Sequence, residues 1–237
     1  MMWFLLGPVS SRSPQAKPPT FVEVIVMTPT QSDVPRILAP AATGLYDPRF
    51  EHDACGVAFV VHMKGVRSNE LVQTGLLALT NLEHRGATGA EPDTGDGAGI
   101  LIQVPDRLLR DVVDFALPAE GAYAAGICFL PAREPLAAKV RSRIDEIMTE
   151  EGLTVLGWRE VPVNPDCLGK TARATMPSFQ QLFVSSPGGE TGVHLDRRTY
   201  VARKRVEHEH SGGDTEMYFA SLSARTMLSI AAVHESK

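Results

Sequence analysis

Apolar residues along this chain change their spacing several times, and each change predicts an element. Asn69–His84 carries Leu71, Leu76, Leu77, Leu79 and Leu82 close to helical spacing, which predicts a helix closed by Gly86. Glu134–Glu151 repeats Leu136, Val140, Ile144 and Ile147 every three to four residues and predicts the clearest helix. Short apolar, β-branched runs predict strands at Cys55–His62 (CGVAFVVH, read as buried), Gly99–Val104 (GILIQV) and Tyr123–Leu130. Leu153–Val163, Thr199–Arg205 and Met217–Ser223 also read as strands, while Ser178–Ser185 is apolar but ambiguous. Pro105-Asp106 opens a short helix through Phe115, with Leu108, Leu109, Val112 and Val113 on its apolar face. Helices and strands mix without strict βαβ alternation, so an α+β fold is expected rather than a Rossmann sheet.

Residues 1–54 differ from the rest. They hold Pro8, Pro14, Pro18, Pro19, Pro29, Pro35, Pro40 and Pro48 out of 17 prolines in the chain. Proline removes backbone donors and restricts its predecessor, so little regular structure is expected there. The exception is Thr20–Met27 (TFVEVIVM), which alternates well enough for a short strand. Taken alone, the stretch reads as a mobile leader.

With 237 residues, 43% hydrophobic and 22% charged, the chain can bury a sizeable core. That excludes a wholly disordered chain or a disulfide-dense miniprotein. A net charge of −5 gives no electrostatic footprint for nucleic acid or an anionic membrane. Three widely spaced cysteines, Cys55, Cys128 and Cys167, fit a reducing compartment, and the short apolar cluster Trp3–Leu6 is no secretory signal. A cytoplasmic protein is expected.

Several motifs fail on spacing. Thr94–Ile100 (TGDGAGI) precedes a strand rather than joining a strand to a helix, so it is no dinucleotide loop. Gly169-Lys170-Thr171 lacks the glycine that a phosphate loop needs at 164, where Asn164 stands. His208-Glu209-His210 alternates like a strand but has no third metal ligand at a recognised spacing. Cys128 and Cys167 have no local histidine and read as bystanders. Cys55, taken alone, would be a small hydrophobe opening a strand.

What overturns that plain reading of Cys55 is its company. Glu51–Val61 (EHDACGVAFVV), Leu82–Ala90 (LEHRGATGA) and Thr94–Ile100 together resemble the class II glutamine amidotransferase region that opens the large subunits of glutamate synthases. Supporting matches are Leu156-Gly157-Trp158-Arg159, Val201–Glu207 and Ser221–Thr226 (SLSART). The resemblance implies an N-terminal-nucleophile hydrolase, with a four-layer αββα sandwich that is incomplete at the C-terminus. Residues 1–54 would be a proline-rich leader, and 55–237 a partial amidotransferase domain.

By the same resemblance, the leader is removed between Ala54 and Cys55, and Cys55 is the catalytic nucleophile. Arg85 and Gly86 match a turn that packs beside the nucleophile and helps fix its terminal amine. Arg85 read alone would be a helix-terminal cation, and Asp96 is given no role. The substrate would be glutamine, whose ammonia feeds the conversion of 2-oxoglutarate to glutamate. FMN, an iron–sulfur cluster and a small subunit belong to the full-length family, not to this segment; no nucleic acid or membrane partner is expected.

Two departures from the pattern matter. Met27-Thr28-Pro29 would make a plausible start, leaving 1–26 as an artefact of start-site assignment. After SLSART, no segment resembling HSRFSTNT or HNGEIN follows, and no Asn-Gly pair exists in the chain. A frameshift or premature stop is the simplest account, and the chain by itself is expected to be inactive. The alternatives are a non-catalytic remnant, or an amidohydrolase of this class acting on a different amide.

Overall fold

The computed structural model describes residues 22–27, 56–82 and 97–231. In chain order the first elements are β1 (Val22–Met27), β2 (Val57–His62), α1 (Asn69–Asn81), β3 (Ala98–Gln103) and α2 (Asp106–Val112). There follow β4 (Tyr123–Leu130), α3 (Glu134–Glu150), β5 (Thr154–Glu160), α4 (Lys170–Ala174), β6 (Ser178–Ser185), α5 (Gly192–Glu209), β7 (Tyr218–Phe219) and β8 (Thr226–Ala231). Helices mix with antiparallel sheets, as an α+β fold requires.

The central sheet runs β5–β6–β4–β7, and β4 is buried along its whole length. Alternation across β4 and β6 sorts their side chains onto two faces. Ala124, Cys128, Leu130, Leu182 and Val184 meet Val140, Ile144, Ile147 and Met148 of α3 and Leu195, Ala202 and Val206 of α5. On the other face, Tyr123, Ala125 and Phe183 pack with Leu109 of α2, while Ile127, Phe129 and Phe179 take Leu228 of β8. β8 pairs antiparallel with β3, from Ala98↔Ala231 to Gln103↔Thr226. β1 and β2 form a separate two-stranded ladder.

Several expectations change. Thr199–Arg205 is no strand: it lies inside α5, whose buried positions Leu195, Thr199, Ala202 and Val206 follow helical spacing. His208 and His210 therefore share no strand face. α2 stops at Val112, because Val113 turns extended; only Leu109 is buried, and Leu108 and Val112 are exposed. β5 ends at Glu160, and the expected strand over Met217–Ser223 shrinks to Tyr218–Phe219 plus a bridge from Ser223 to Ala125. β2 is half-buried rather than buried, with Val57, Phe59 and Val61 exposed on one face. The ambiguous stretch Ser178–Ser185 is a central strand.

Two polar clusters fasten the layers. Asp106 accepts from the buried Tyr123 hydroxyl at 2.9 Å and from Arg110 through both carboxylate oxygens at 2.9 Å, so its carboxyl is held below its ordinary pKa. Arg110 also donates to the Leu117 carbonyl at 2.8 Å, tying α2 to the loop before β4. Asp196 of α5 accepts from the Ser223 hydroxyl (2.9 Å), the Ala224 amide (2.7 Å) and Arg225 Nε (2.6 Å). Ser223 Oγ in turn accepts from the Arg225 and Thr226 amides, so Asp196 organises the turn that launches β8. Asp196→Ala strands these donors and is expected to cost about 2–4 kcal/mol, read as a Tm lower by roughly 5–10 °C. Asp196→Asn, which keeps one carbonyl acceptor, should cost less in the same melt.

His210 caps α5, is only 7% exposed, and neither ring nitrogen has a hydrogen-bond partner. Burial pushes its pKa below the ordinary value, with Glu209 pulling it up and Arg143 pushing it down. The folded ring therefore takes up its proton at a lower pH than the unfolded one, whose ordinary value is 6.5. Stability contributed by the neutral ring is present above that value and is lost as pH falls from there through the lowered folded pKa. Melting curves between pH 7.5 and 5.5 should therefore show a steeper fall in Tm for the natural chain than for His210→Leu.

Candidate active site

Two described segments, the start of β2 and β3, converge on α1. Ser68 caps its N-terminus, accepting from the Leu71 amide, and Glu70 in the first turn complements the helix dipole. Gly75, Ala78 and Leu82 lie on one face at helical spacing, and Ala78 is buried. Gly75 meets Ile100 of β3 so closely that a Cβ there would sit 2.8 Å from Ile100 Cδ1. At the far end, a Cβ on Gly56 would stand 3.0 Å from Leu82 Cδ2.

The second contact matters most for the site. Gly56 directly follows Cys55 in the chain, and Leu82 opens the LEHRG segment. The start of β2 and the C-terminal end of α1 are therefore brought together, although they are a helix and a loop apart in sequence. Ile100, which ends the TGDGAGI segment, packs on the same helix two turns earlier. Cys55, Arg85, Gly86 and Asp96 themselves lie outside the described residues.

The competing chemistry finds less support. Cys128 is fully buried in β4, and burial pushes its thiol pKa well up, so it is held protonated and away from substrate. Cys167 ends a short 3₁₀ turn, Pro165–Cys167. Gly169-Lys170-Thr171 begins the five-residue α4 rather than a phosphate loop. Among the described residues no cluster of three or more His, Cys, Asp or Glu could hold a metal ion. An open cavity of about 800 Å³ lies between β4, α4 and β7, lined by Phe129, Met176, Phe179, Met217 and Tyr218. Its described lining includes neither Gly56 nor Leu82, and it is largely apolar.

Residues 55–236 match the family model of the glutamine amidotransferases, class II. The chain belongs to that family. The match begins at Cys55, the residue to which the family resemblance assigns the nucleophile. Among related proteins, this chain is 39% identical over 191 residues to the glutamate synthase [NADPH] large chain of Bacillus subtilis, covering 80% of this chain and 13% of that protein. It is 40% identical over 182 residues to ferredoxin-dependent glutamate synthase 2 of Synechocystis sp., covering 75% and 11%. Ferredoxin-dependent glutamate synthase 1, chloroplastic/mitochondrial, of Arabidopsis thaliana is 37% identical over 203 residues, covering 82% and 12%. The chain thus spans only 11–13% of the length of these relatives.

Residue-level reading of the sequence did not anticipate the Asp196 cluster. Its acceptor and donors lie on different elements, and no local pattern links them; SLSART was legible as a motif but not as a turn clamped from α5.

Proposed function

We propose that this chain is the glutaminase portion of a glutamate synthase, releasing ammonia from glutamine for the conversion of 2-oxoglutarate to glutamate. The observation that carries the reading is the convergence of Gly56 on Leu82, because it draws together the chain flanking Cys55 and the chain flanking Arg85. A family match that starts at Cys55 supports the same residue as the nucleophile.

In this reading residues 1–54 are a leader, and cleavage after Ala54 makes Cys55 the N-terminal residue. A thiol has a reference pKa of about 8.5, so only a small fraction is thiolate at neutral pH. The freed α-amine, with a reference pKa of about 7.7–8.0, is carried by the same residue and can take the thiol proton. While Ala54 is attached, that nitrogen is an amide and cannot serve as a base. The sulfur attacks the side-chain amide carbon of glutamine, and the proton passes to the departing nitrogen as ammonia leaves. A γ-glutamyl thioester remains, which water hydrolyses to glutamate and the free thiol. Arg85 and Gly86 would hold the terminal amine in place.

The fold proposed for residues 55–237 is the four-layer αββα sandwich. Supporting it, α3 and α5 cover one face of the central sheet, Leu228 of β8 packs on the other, and α1 lies against β3. A cytoplasmic location is part of the proposal and rests on the cysteine pattern; among the described residues no helix is long and apolar enough to cross a membrane.

The test is the intact mass of the purified protein, followed by thiol alkylation across pH. A species beginning at Cys55 is expected, with Cys55 alkylated near neutral pH far faster than Cys128. A chain that remains uncut, or one cut elsewhere, would rule out an N-terminal cysteine nucleophile.

A further inference from the structure

β1 lies within the first 54 residues, yet it pairs with the strand that begins just after Gly56. The ladder is antiparallel and continuous, from Val22↔His62 to Met27↔Val57. Its closed end, Met27↔Val57, stands two residues beyond Cys55. β2 has no other strand partner among the described residues, since its sheet consists of β1 and β2 alone. On its other side β2 leans on α1 through the Gly56–Leu82 contact. The exposed face of β2 carries Val57, Phe59 and Val61.

A strand in that situation has a specific need. Without a neighbour, the edge of β2 would offer a row of unpaired N–H and C=O groups beside three exposed apolar side chains, a template for pairing with another chain. β1 supplies the missing backbone partners over all six residues of β2. This is strand addition, in which main-chain hydrogen bonds provide the attachment. Scission of the backbone between 28 and 55 removes none of these ladder hydrogen bonds.

We propose that Val22–Met27 is a built-in docking strand for β2, so that the leader stays bound as a separate peptide after the chain is cut ahead of Cys55. The cut itself belongs to the function proposed above; the docking does not depend on it. Processing then frees the α-amine of Cys55 without uncovering the edge of β2. The leader acts as a retained strand rather than a discarded tail.

The experiment keeps the two ideas apart by making the cut artificially. A recognition sequence for a site-specific protease replaces residues 35–40 in the full chain, and the digested protein is run on a sizing column without denaturant. The N-terminal fragment is expected to elute with the body, and to separate from it only in denaturant. Elution of the fragment by itself overturns the proposal, whether or not the natural cut before Cys55 occurs.

Amide hydrogen exchange on the unmodified chain gives a second reading that needs no cleavage. Within 22–27 and 57–62, the amides that face the partner strand should be protected by about 100-fold or more over an unstructured peptide, and together. Free exchange across both segments, with α3 protected, would also overturn it. Val24→Pro and Ile25→Pro supply an internal control, because neighbouring residues in an antiparallel ladder alternate between facing the partner and facing away. One of the two variants should release the cut fragment far more readily than the other. Equal retention in both would mean that the ladder is not what holds the leader.

Discussion

Replacing Cys55 with alanine is expected to abolish glutaminase activity in a chain carried on through the arginine and asparagine–glycine segments implied by the family resemblance. The loss should be on the order of 10⁴-fold or more, because in the mechanism proposed above the thiol forms the covalent intermediate. Cys128→Ala should leave turnover nearly unchanged. Its thiol faces Val140 and the α3–α5 side of the central sheet and is kept protonated by burial, so its loss is felt in stability alone. The measurement is ammonia release from glutamine by each variant, with Tm recorded alongside. Comparable losses at both positions would mean the thiols act structurally.

Gly126→Ala is expected to be the most damaging single methyl group in the structure. β4 pairs with Phe219 through Cys128 and with Ser223 through Ala125, so the returning strand carries one residue more than β4 between those two pairs. That surplus is a bulge, and it pushes Ser221 and Leu222 over the face of Gly126. A Cβ on Gly126 would overlap the Ser221 carbonyl oxygen and lie 2.8 Å from Leu222 Cα. Both obstacles are backbone, which cannot step aside as a flexible side chain does. Overpacking costs typically 1–3 kcal/mol, and a backbone clash in the most buried strand should exceed about 3 kcal/mol. The variant should express mainly as insoluble protein, or melt more than roughly 6 °C lower if soluble. Gly75→Ala is the contrasting case. Its obstacle is the Cδ1 methyl at the end of the Ile100 side chain, so it should remain soluble.

Much of the fold was legible where one apolar pattern ran uninterrupted. α3 and β4 came out close to their full length because Val140, Ile144 and Ile147, or the run Tyr123–Leu130, carry a single period into a single core. α5 was misread for a physical reason. Its buried stripe includes Thr199 and Ala202, which contribute little hydrophobic signal, while Tyr200 and Val201 point outward and mimic a strand. What holds α5 lies outside any local window. Arg198 reaches Glu190 and the Glu151 carbonyl, Arg205 reaches Glu150 and Glu151, and Arg143 of α3 bridges to Glu209. β6 was ambiguous because Gln180 and Gln181, both buried, interrupt its apolar run; Gln181 accepts from Arg159 at 2.6 Å and donates to the Met227 sulfur.

The candidate site divides the same way. Cys55 and Arg85 could be picked out by motif, but a motif does not say why two distant segments meet. The answer lies in two glycines, where the absence of a side chain lets β2 and β3 close onto α1.

The β3–β8 ladder also has a consequence in time. Ala98 finds its partner in Ala231 and Gln103 in Thr226, with the whole central sheet and its helices lying between them in sequence. Closing so long a loop is costly before the intervening chain has condensed, so this pairing is expected to come late in folding. On the ribosome, β3 emerges and waits while everything from α2 to Arg225 is made. During that wait the apolar strand Ala98–Gln103 lacks its β8 partner and is exposed to capture by another nascent chain. Slower synthesis across 104–225 would lengthen that exposure, whereas a chaperone that shields short apolar strands would shorten it. The yield of folded protein is therefore governed by how soon β8 arrives.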